Sequence, residues 1–292
     1  MLNRRLLRIK VLQIVYSHIF NNEKPLNESE KELIFSVEKS YELYLHFIGL
    51  ILDIAHQASL KAELIENREV TDRSEAVIYK RLSENKIIAK LTADKEFARK
   101  YKKTGQSWNE NLTLVKELLN VSFESDFYKK YLEQPDTFSS DKKCILSIIS
   151  EIFPLNENIF EFLEDKSIYW NDDIDFILEM VYKTIKNIEE KNTIDFFSAF
   201  SNETDKEFII TLFRKSILNL NKYTDKIEKQ LDNWKLDRVA DIDLILIKLA
   251  IIEAIEFPSI PLKVTLNEYI EIAKFYSTEN SGTFINGIID KL

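Results

Sequence analysis

Residues 4–17 read RRLLRIKVLQIVYS, and this stretch decides the fold. At about 100° per residue, its aliphatic side chains point in nearly every direction around a helix. A helix that is apolar all round is a buried helix. Arg4, Arg5 and Arg8 fall within one arc of about 100° in the first turns. The stretch therefore predicts a core helix whose N-terminal end carries a guanidinium cluster.

The charge of this segment differs from that of the chain. Four basic residues precede the first acidic residue, Glu23, so residues 1–22 carry a formal charge of +4, whereas the whole chain carries −9. The helix macrodipole disfavours a cation at the N-terminus by about 0.3–1 kcal/mol. We therefore expect other groups to compensate these charges.

Glycine and proline are scarce, with four and five residues in a chain of 292. Average proteins contain about 7% glycine and about 5% proline. The chain thus lacks the turn residues that many short strands or a nucleotide-binding loop would need. Its composition predicts an all-α protein, a helical bundle with a sizeable core.

Several features predict a soluble cytoplasmic protein. Cys144 is the only cysteine and cannot form an internal disulfide, and no signal-peptide pattern opens the chain. The longest apolar run, about 43–58, is interrupted by His46, Asp53 and His56 and is shorter than the roughly 20 residues that span a bilayer. The net charge argues against a general nucleic-acid coat, because an acidic surface repels phosphate.

Apolar residues recur at three- and four-residue spacing over most of the remaining chain, as in packing helices. One long helix is predicted from about 30 to 65. Thr265 and Glu268 stand three apart as a capping box, which predicts a helix start near residue 266. The helices predicted in the C-terminal part cover 174–188, 205–220, 224–234, 242–256, 266–276 and the stretch from about 283 onward.

No catalytic or metal-binding constellation can be assembled from the sequence. His18, His46 and His56 lie in apolar helical surroundings, without cysteines or carboxylates at metal-ligand spacing. Cys144 lies in an apolar context typical of a buried residue, and no glycine-rich phosphate loop occurs. The sequence indicates a protein that is not an enzyme and requires neither cofactor nor metal.

Two basic features have more than one interpretation. Lys100, Lys102 and Lys103 near Trp108 are compatible with nucleic-acid contact, although interleaved Glu and Asp favour a solvated helix face. Lys248 interrupts a long aliphatic run, where an unpaired ammonium would be costly to bury. It must reach solvent, an acid or a ligand.

Residues 281–292, SGTFINGIIDKL, contain two of the four glycines, Gly282 and Gly287. A glycine inside a helix costs about 0.5–1 kcal/mol relative to alanine, and the usual reason is the close approach of another helix or a ligand. Phe284 and Asn286 flank a position where a base could stack and an amide could hydrogen-bond, as in readers of single-stranded RNA. Helix packing explains the glycine equally well.

Four segments share an ordered set of features. The first is an arginine-rich opening helix that ends in an aliphatic-tyrosine pair. Later segments contain a proline, a lysine, an Asn-Glu pair, an Ala-Lys pair and a Phe-aliphatic-Asn-Gly sequence, in that order. These segments are RRLLRIKVLQIVYS (4–17), DLILIKLAIIEA (243–254), PLKVTLNEYIEIAKFYS (261–277) and SGTFINGIIDKL (281–292). In these features the chain resembles the NusB family of transcription antitermination factors.

The resemblance implies an all-helical protein that binds the boxA element of nascent RNA together with NusE, which is also a small-subunit ribosomal protein. Such a protein helps RNA polymerase to read through terminators, especially on ribosomal RNA operons. Carried over by position, Glu253 would lie toward the ribosomal-protein partner. Residues 236–292 hold nine acids and five bases, which suits a basic partner. The residues that would face RNA are Arg4, Arg5, Arg8, Tyr16, Lys248, Thr283 and Phe284.

The resemblance covers residues 1–22 and about 170–292, which are expected to form a NusB-like RNA-binding core with both chain ends in one RNA-facing surface. Residues 23–169 are expected to be a helical insertion that packs on this core and has room for a second partner surface. The opening helix has fewer arginines than is usual in the family. This departure implies weaker RNA affinity or additional RNA contacts elsewhere.

Two alternative functions remain open. A helical interaction scaffold with lost or weak RNA binding is compatible with the acidic composition and the large insertion. The RNA-targeting part of an rRNA-modifying system is the other, because rRNA cytosine methyltransferases carry a NusB-like domain ahead of a catalytic one. This chain shows neither a glycine-bearing cofactor loop nor a suitable cysteine motif.

Overall fold

The computed structural model describes residues 4–21, 24–67, 74–200, 203–230 and 238–289 and confirms the predicted all-α fold. Of these residues 80% are helical, and the same ranges contain no strand. Its helices are α1 (Arg4–Phe20), α2 (Leu26–Glu66), α3 (Ser74–Ser83), α4 (Lys86–Ala93), α5 (Lys95–Thr104), α6 (Leu112–Glu124), α7 (Asp126–Glu133), α8 (Phe138–Ser147), α9 (Glu157–Lys166), α10 (Ile174–Asn187), α11 (Glu203–Leu218), α12 (Thr224–Lys229), α13 (Asp241–Glu256), α14 (Leu262–Tyr276) and α15 (Ser281–Ile289).

The chain divides into two compact units. Unit 1 contains Met1–Glu38 and Ala199–Leu292, and unit 2 contains Lys39–Ser198. One division falls within α2, a continuous helix of 41 residues. The other follows α10, so α10 belongs to unit 2 by its contacts, whereas the sequence grouped it with the C-terminal core.

The helix α1 forms the centre of unit 1. The aliphatic side chains from Leu6 to Val15 are at most 4% exposed, in agreement with the apolar pattern around this part of the helix. Each such side chain contributes about 1.5–3 kcal/mol when it is fully buried. The neighbours of α1 are α11, α13 and α14, and α13 and α14 also contact α15. Two helices therefore connect the first and the last helix of the described chain.

Helix α14 begins at Leu262, earlier than predicted, because Pro261 sets the start. Thr265 lies inside the helix and donates to Glu253 Oε1 at 2.9 Å, while Glu268 accepts from Arg5. The predicted capping box of Thr265 and Glu268 is therefore wrong, since tertiary contacts engage both side chains.

Two other predicted helix boundaries also differ from the structure. Helix α15 begins at Ser281 rather than near residue 283, and residues 290–292 lie outside the described chain. The helix predicted at 224–234 begins at Thr224 as expected, but this helix, α12, ends at Lys229. Residues 231–237 also lie outside the described chain.

His46 of α2 lies in an aromatic cluster within unit 2. Its ring stacks on Trp108 with centroids 4.2 Å apart, and Trp108 Nε1 donates to the His46 carbonyl at 2.8 Å. His46 Nδ1 lies 3.2 Å from the Tyr101 hydroxyl. Burial, with a smaller effect of the Lys166 charge, lowers the pKa of His46 to about 3. The ring is therefore a neutral part of the core at pH 7.

Gly49 of α2 is required by Tyr101 of α5. A Cβ at this position would lie 2.4 Å from the Tyr101 ring carbon Cζ. Asp94 caps α5 by accepting a hydrogen bond from the Phe97 backbone amide at 2.8 Å. Gly105 ends the helix with φ at 71°, a conformation that glycine adopts without strain. These contacts fix α5 against α2.

In the described chain, α2 is the one helix whose length and hydropathy are compatible with a membrane span. Within the qualifying 18-residue window, 72% is buried inside the protein. Such burial is typical of a core helix.

Candidate functional site

Arg8 of α1 and Glu253 of α13 form a buried ion pair in unit 1. Arg8 Nε and Nη2 donate to the carboxylate at 2.7 and 2.6 Å, and the two side chains are 2% and 0% exposed. The hydroxyls of Thr265 and Tyr269 donate to the same carboxylate at 2.9 and 3.0 Å. Burial by itself would lower the pKa of Arg8, but the hydrogen bonds and charge of Glu253 raise it. The pair fastens α1 to α13.

This geometry corrects two expectations from the sequence. Arg8 does not face RNA and Glu253 does not face a partner protein, because each side chain is enclosed and bonded to the other. The two residues stand 245 positions apart. Transfer of roles by position could not reveal that they bind each other.

The other two arginines of the opening helix are also paired within unit 1. Arg5 Nε and Nη2 donate to Glu268 at 3.1 and 3.0 Å. Arg4 lies 3.4 Å from Asp205 Oδ1 and keeps 45% of its side chain exposed. Asp205, Glu253 and Glu268 thus supply the compensation that the macrodipole argument requires. Arg4 is the most exposed member of the cluster.

A cavity of about 400 Å³ lies where α13 and α15 begin. Phe284, Arg238, Ser281 and Asp243 are among the residues that line it. Ser281 Oγ donates to Asp243 Oδ2 at 2.8 Å, whereas Asp243 Oδ1 is buried with no hydrogen-bond partner in the described part of the chain. A buried acceptor left unpaired costs about 1–3 kcal/mol. Asp243 therefore has an unused acceptor, which a donor would reach only if the cavity wall moved.

The outer face of α15 is exposed at Thr283, Asn286 and Gly287. A Cβ added at Gly287 would meet nothing within 4 Å. Gly282 differs, because a Cβ there would lie 3.4 Å from Ile270 Cγ2 of α14. Helix packing therefore explains Gly282 but not Gly287, which leaves the backbone of α15 accessible at one point.

Lys248 of α13 is half-buried and has no acidic partner among the residues that the structure describes. Burial lowers the pKa of its ammonium. No acid among the described residues of unit 1 compensates the desolvation of this charge, and an anionic ligand would relieve it.

Tyr16 and Phe20 form an exposed aromatic pair at the end of α1. Their ring centroids are 4.6 Å apart, and they are 41% and 54% exposed. Gln13, one turn before Tyr16, donates to the hydroxyl of Tyr276, which ends α14, at 3.0 Å. This end of α1 thus lies beside the α14–α15 connection. Sequence reasoning missed Phe20, although its four-residue spacing from Tyr16 was the available signal.

The predicted RNA-facing residues lie on α1, α13 and α15 of unit 1. Arg4 and Tyr16 are separated by about 18 Å along α1, at 1.5 Å per residue. The fold thus places these three helices together without gathering their side chains into one cluster. Among the described residues, no three His, Cys, Asp or Glu side chains lie close enough together to hold a metal ion.

Comparison with known proteins points to one family. A sequence profile described as the NusB family matches residues 177–292. The transcription antitermination protein NusB of Salinibacter ruber is 44% identical over 87 residues, which are 30% of this chain and 54% of that protein. The NusB protein of Acetivibrio thermocellus is 37% identical over 112 residues, which are 38% of this chain and 76% of that protein. No solved structure gives a significant match.

The similarity covers the C-terminal part of the chain, which contains α13, α14, α15 and the cavity. The NusB protein of Natranaerobius thermophilus is 40% identical over 91 residues, which are 31% of this chain and 66% of that protein. The chain thus spans between about half and two thirds of the length of two of these relatives. It spans three quarters of the Acetivibrio protein. From this coverage and identity, the chain belongs to the NusB family.

Proposed function

We propose that this chain is a cytoplasmic transcription antitermination factor that binds single-stranded RNA of the boxA type together with the ribosomal protein NusE. It would act indirectly on RNA polymerase while the polymerase transcribes ribosomal RNA operons. It would not catalyse a reaction. Its relatives are named for transcription antitermination. The observation that carries the proposal is the cavity at the start of α13 and α15, with Phe284 on its wall.

The RNA side of the proposal uses residues of unit 1 that remain accessible. The ring of Phe284 is a stacking surface for a base, and Tyr16 with Phe20 is a second one. Lys248 and Arg4 contact phosphates, and Arg5 joins them by exchanging Glu268 for phosphate. Thr283, beside Phe284 on α15, donates to the same strand.

The partner side of the proposal uses Asp243 in place of the enclosed Glu253. Asp243 is one of the residues that line the cavity, and its buried Oδ1 has no donor from the described chain. A carboxylate repels phosphate and attracts lysine or arginine, so the basic ribosomal protein is the fitting donor. The ion pair between Arg8 and Glu253 then fixes α1, which carries RNA contacts, against α13, which carries the partner contact Asp243.

The domain assignment is part of the same proposal. Residues 1–22 and 170–292 correspond to the NusB-like core, and residues 23–169 are an insertion specific to this chain. The family profile supports the C-terminal portion of this assignment, since it begins at residue 177.

RNA binding tests the proposal directly. Anisotropy of a labelled boxA-type oligonucleotide is measured with and without NusE for the unaltered chain, Phe284→Ala and Lys248→Gln. Loss of one stacked base weakens binding by about 1–3 kcal/mol, and loss of one phosphate contact lowers the salt slope by about 0.7. Phe275→Ala and Lys274→Gln, two exposed substitutions on α14, are the matched controls.

The scaffold function is the second candidate, because acids of unit 1 neutralise all three arginines of the opening helix. It predicts NusE binding without RNA binding, and equal affinities for the unaltered chain and Phe284→Ala. That result would reject the RNA proposal. A terminator read-through assay on a ribosomal RNA leader then measures whether the RNA complex affects transcription.

A further inference from the structure

Helix α5 of unit 2 is strongly basic within an acidic unit. Residues 95–104 carry five lysines and arginines against one acid, Glu96, whereas residues 39–198 carry 22 basic and 29 acidic residues, a net charge of −7. The charge of α5 is therefore opposite in sign to that of its unit.

Helical geometry gathers four of the five basic residues of α5 on one side of the helix, with Glu96 at its margin. At about 100° per residue, Lys95, Arg99, Lys102 and Lys103 fall within one arc of about 100°. All four are exposed. Glu96 pairs at 2.7 Å with Lys100, which lies outside this arc. We call these four residues the α5 stripe.

None of the four side chains of the α5 stripe makes an ion pair or hydrogen bond within the described chain. Like charges four residues apart on a helix destabilise it by about 0.2–0.5 kcal/mol per pair. Lys95 in the first turn also opposes the helix macrodipole. Lys102 and Lys103 in the last turn are favoured by the same dipole, and a bound polyanion would offset the repulsion between neighbouring cations of the stripe.

The rest of α5 holds the stripe in a fixed, outward orientation. Phe97 on the opposite face is 2% exposed, and Tyr101 packs on Gly49 of α2. The Asp94 cap and the left-handed Gly105 define both helix ends. A rigid row of cations loses little conformational freedom of the backbone when a ligand binds.

The chemistry of the stripe favours nucleic acid over the other polyanions. A helix that inserts into a membrane surface needs an exposed apolar face, and a protein interface needs aromatic or aliphatic anchors. Helix α5 has no exposed large hydrophobic side chain. Its four cations extend over about 12 Å, at 1.5 Å per residue, which suits several phosphates of one strand.

We propose that the α5 stripe is a second RNA-binding surface, which contacts the phosphodiester backbone of single-stranded RNA through Lys95, Arg99, Lys102 and Lys103. No exposed aromatic ring stands in the stripe, so the contact is independent of base sequence. This surface belongs to unit 2 and does not depend on the cavity in unit 1.

The test neutralises the stripe and measures the salt dependence of RNA binding. The variant is Lys95→Gln/Arg99→Gln/Lys102→Gln/Lys103→Gln, and the probe is a labelled oligouridylate titrated between about 50 and 200 mM KCl. Four lost phosphate contacts lower the slope of log K against log salt by about 3. Oligoadenylate should show the same decrease.

A matched control removes four other exposed lysines of unit 2 for which the structure shows no ion pair. Lys116→Gln/Lys130→Gln/Lys143→Gln/Lys186→Gln changes the net charge by the same amount on four other helices. Its slope should equal that of the unaltered chain. Far-UV circular dichroism confirms that both variants keep their helices.

Several results would overturn the proposal. They are an unchanged slope in the stripe variant, an equal decrease in the control variant, and no measurable oligouridylate binding by the unaltered chain. Loss of binding to phosphatidylserine vesicles with unchanged RNA binding would assign the stripe to a membrane instead. The stripe substitutions are also made in the Phe284→Ala background. The contribution of the stripe to RNA binding is then measured separately from that of the cavity.

Discussion

The carboxylate of Glu253 accepts hydrogen bonds from Arg8, Thr265 and Tyr269 in a fully buried position. Glu253→Gln keeps the shape but leaves the buried Arg8 charge with only the more distant Glu268, at 3.8 Å, as a counter-charge. We expect the free energy of unfolding to fall by about 3–5 kcal/mol. Urea denaturation of the two proteins measures it.

Glu271→Gln is the control for this substitution, because Glu271 is 37% exposed and pairs at the surface with Lys274 at 2.5 Å. Its effect should stay below about 1 kcal/mol. An equally small effect of Glu253→Gln would show that the buried pair does not fasten α1 to α13.

His46 predicts a pH dependence of stability. In the unfolded chain its pKa is 6.5, and in the folded protein burial lowers the pKa to about 3. Between these values the unfolded state binds more protons, so the free energy of unfolding decreases as the pH falls. From pH 7 to pH 5 the His46 contribution to this decrease is about 2 kcal/mol.

Urea denaturation at pH 7, 6 and 5 tests this expectation against His46→Phe, which retains a ring beside Trp108. The unaltered protein should lose about 2 kcal/mol more than the variant over this range. All other ionisable groups are the same in the two proteins. Parallel pH profiles would therefore show that folding does not lower the pKa of His46.

At the scale of the element, Gly287 lowers the stability of helix α15 and leaves its backbone accessible to a ligand. Gly287 is exposed inside a helix with open space around it. Gly287→Ala should raise the free energy of unfolding by about 0.5–1 kcal/mol and weaken RNA binding if a strand contacts the accessible backbone of α15, because a methyl group would keep the strand away. Thermal unfolding and anisotropy measure the two effects. Greater stability with unchanged affinity would remove Gly287 from the site.

The helices themselves were largely predictable from the sequence. Apolar residues on every side marked α1 as buried, and periodicity located α2, α10 and α13. The start of α14 was not predicted, because Thr265 and Glu268 have capping-box spacing but are engaged by Glu253 and Arg5. Local pattern does not reveal such long-range partners.

The candidate site was predictable only in part, because here too the local pattern does not reveal long-range partners. Lys248 and Phe284 stood out by residue type and local pattern, and the structure gives both accessible positions. Arg8 has the same chemistry as Arg4, and only the buried carboxylate on α13 distinguishes them. The α5 stripe was obscured because Glu96 is interleaved in sequence but pairs with Lys100 outside the stripe.

At the scale of the whole molecule, charge is arranged locally rather than evenly. The chain carries −9 in total, yet its proposed RNA contacts are cations on particular helices. Screening over roughly 10 Å at 0.1 M salt limits repulsion from distant acids. A negative total charge is therefore compatible with RNA binding at physiological salt.

The bond between Arg8 and Glu253 also has a consequence for biosynthesis. The ribosome adds 245 residues between them, which takes roughly 12–50 s at about 5–20 residues per second. The main neighbours of α1 are α11, α13 and α14, all translated after residue 202. Until they emerge, the aliphatic side chains of α1 lie uncovered on the nascent chain. Unit 2 lengthens that interval, so a co-translational chaperone should hold this protein longer than its shorter relatives.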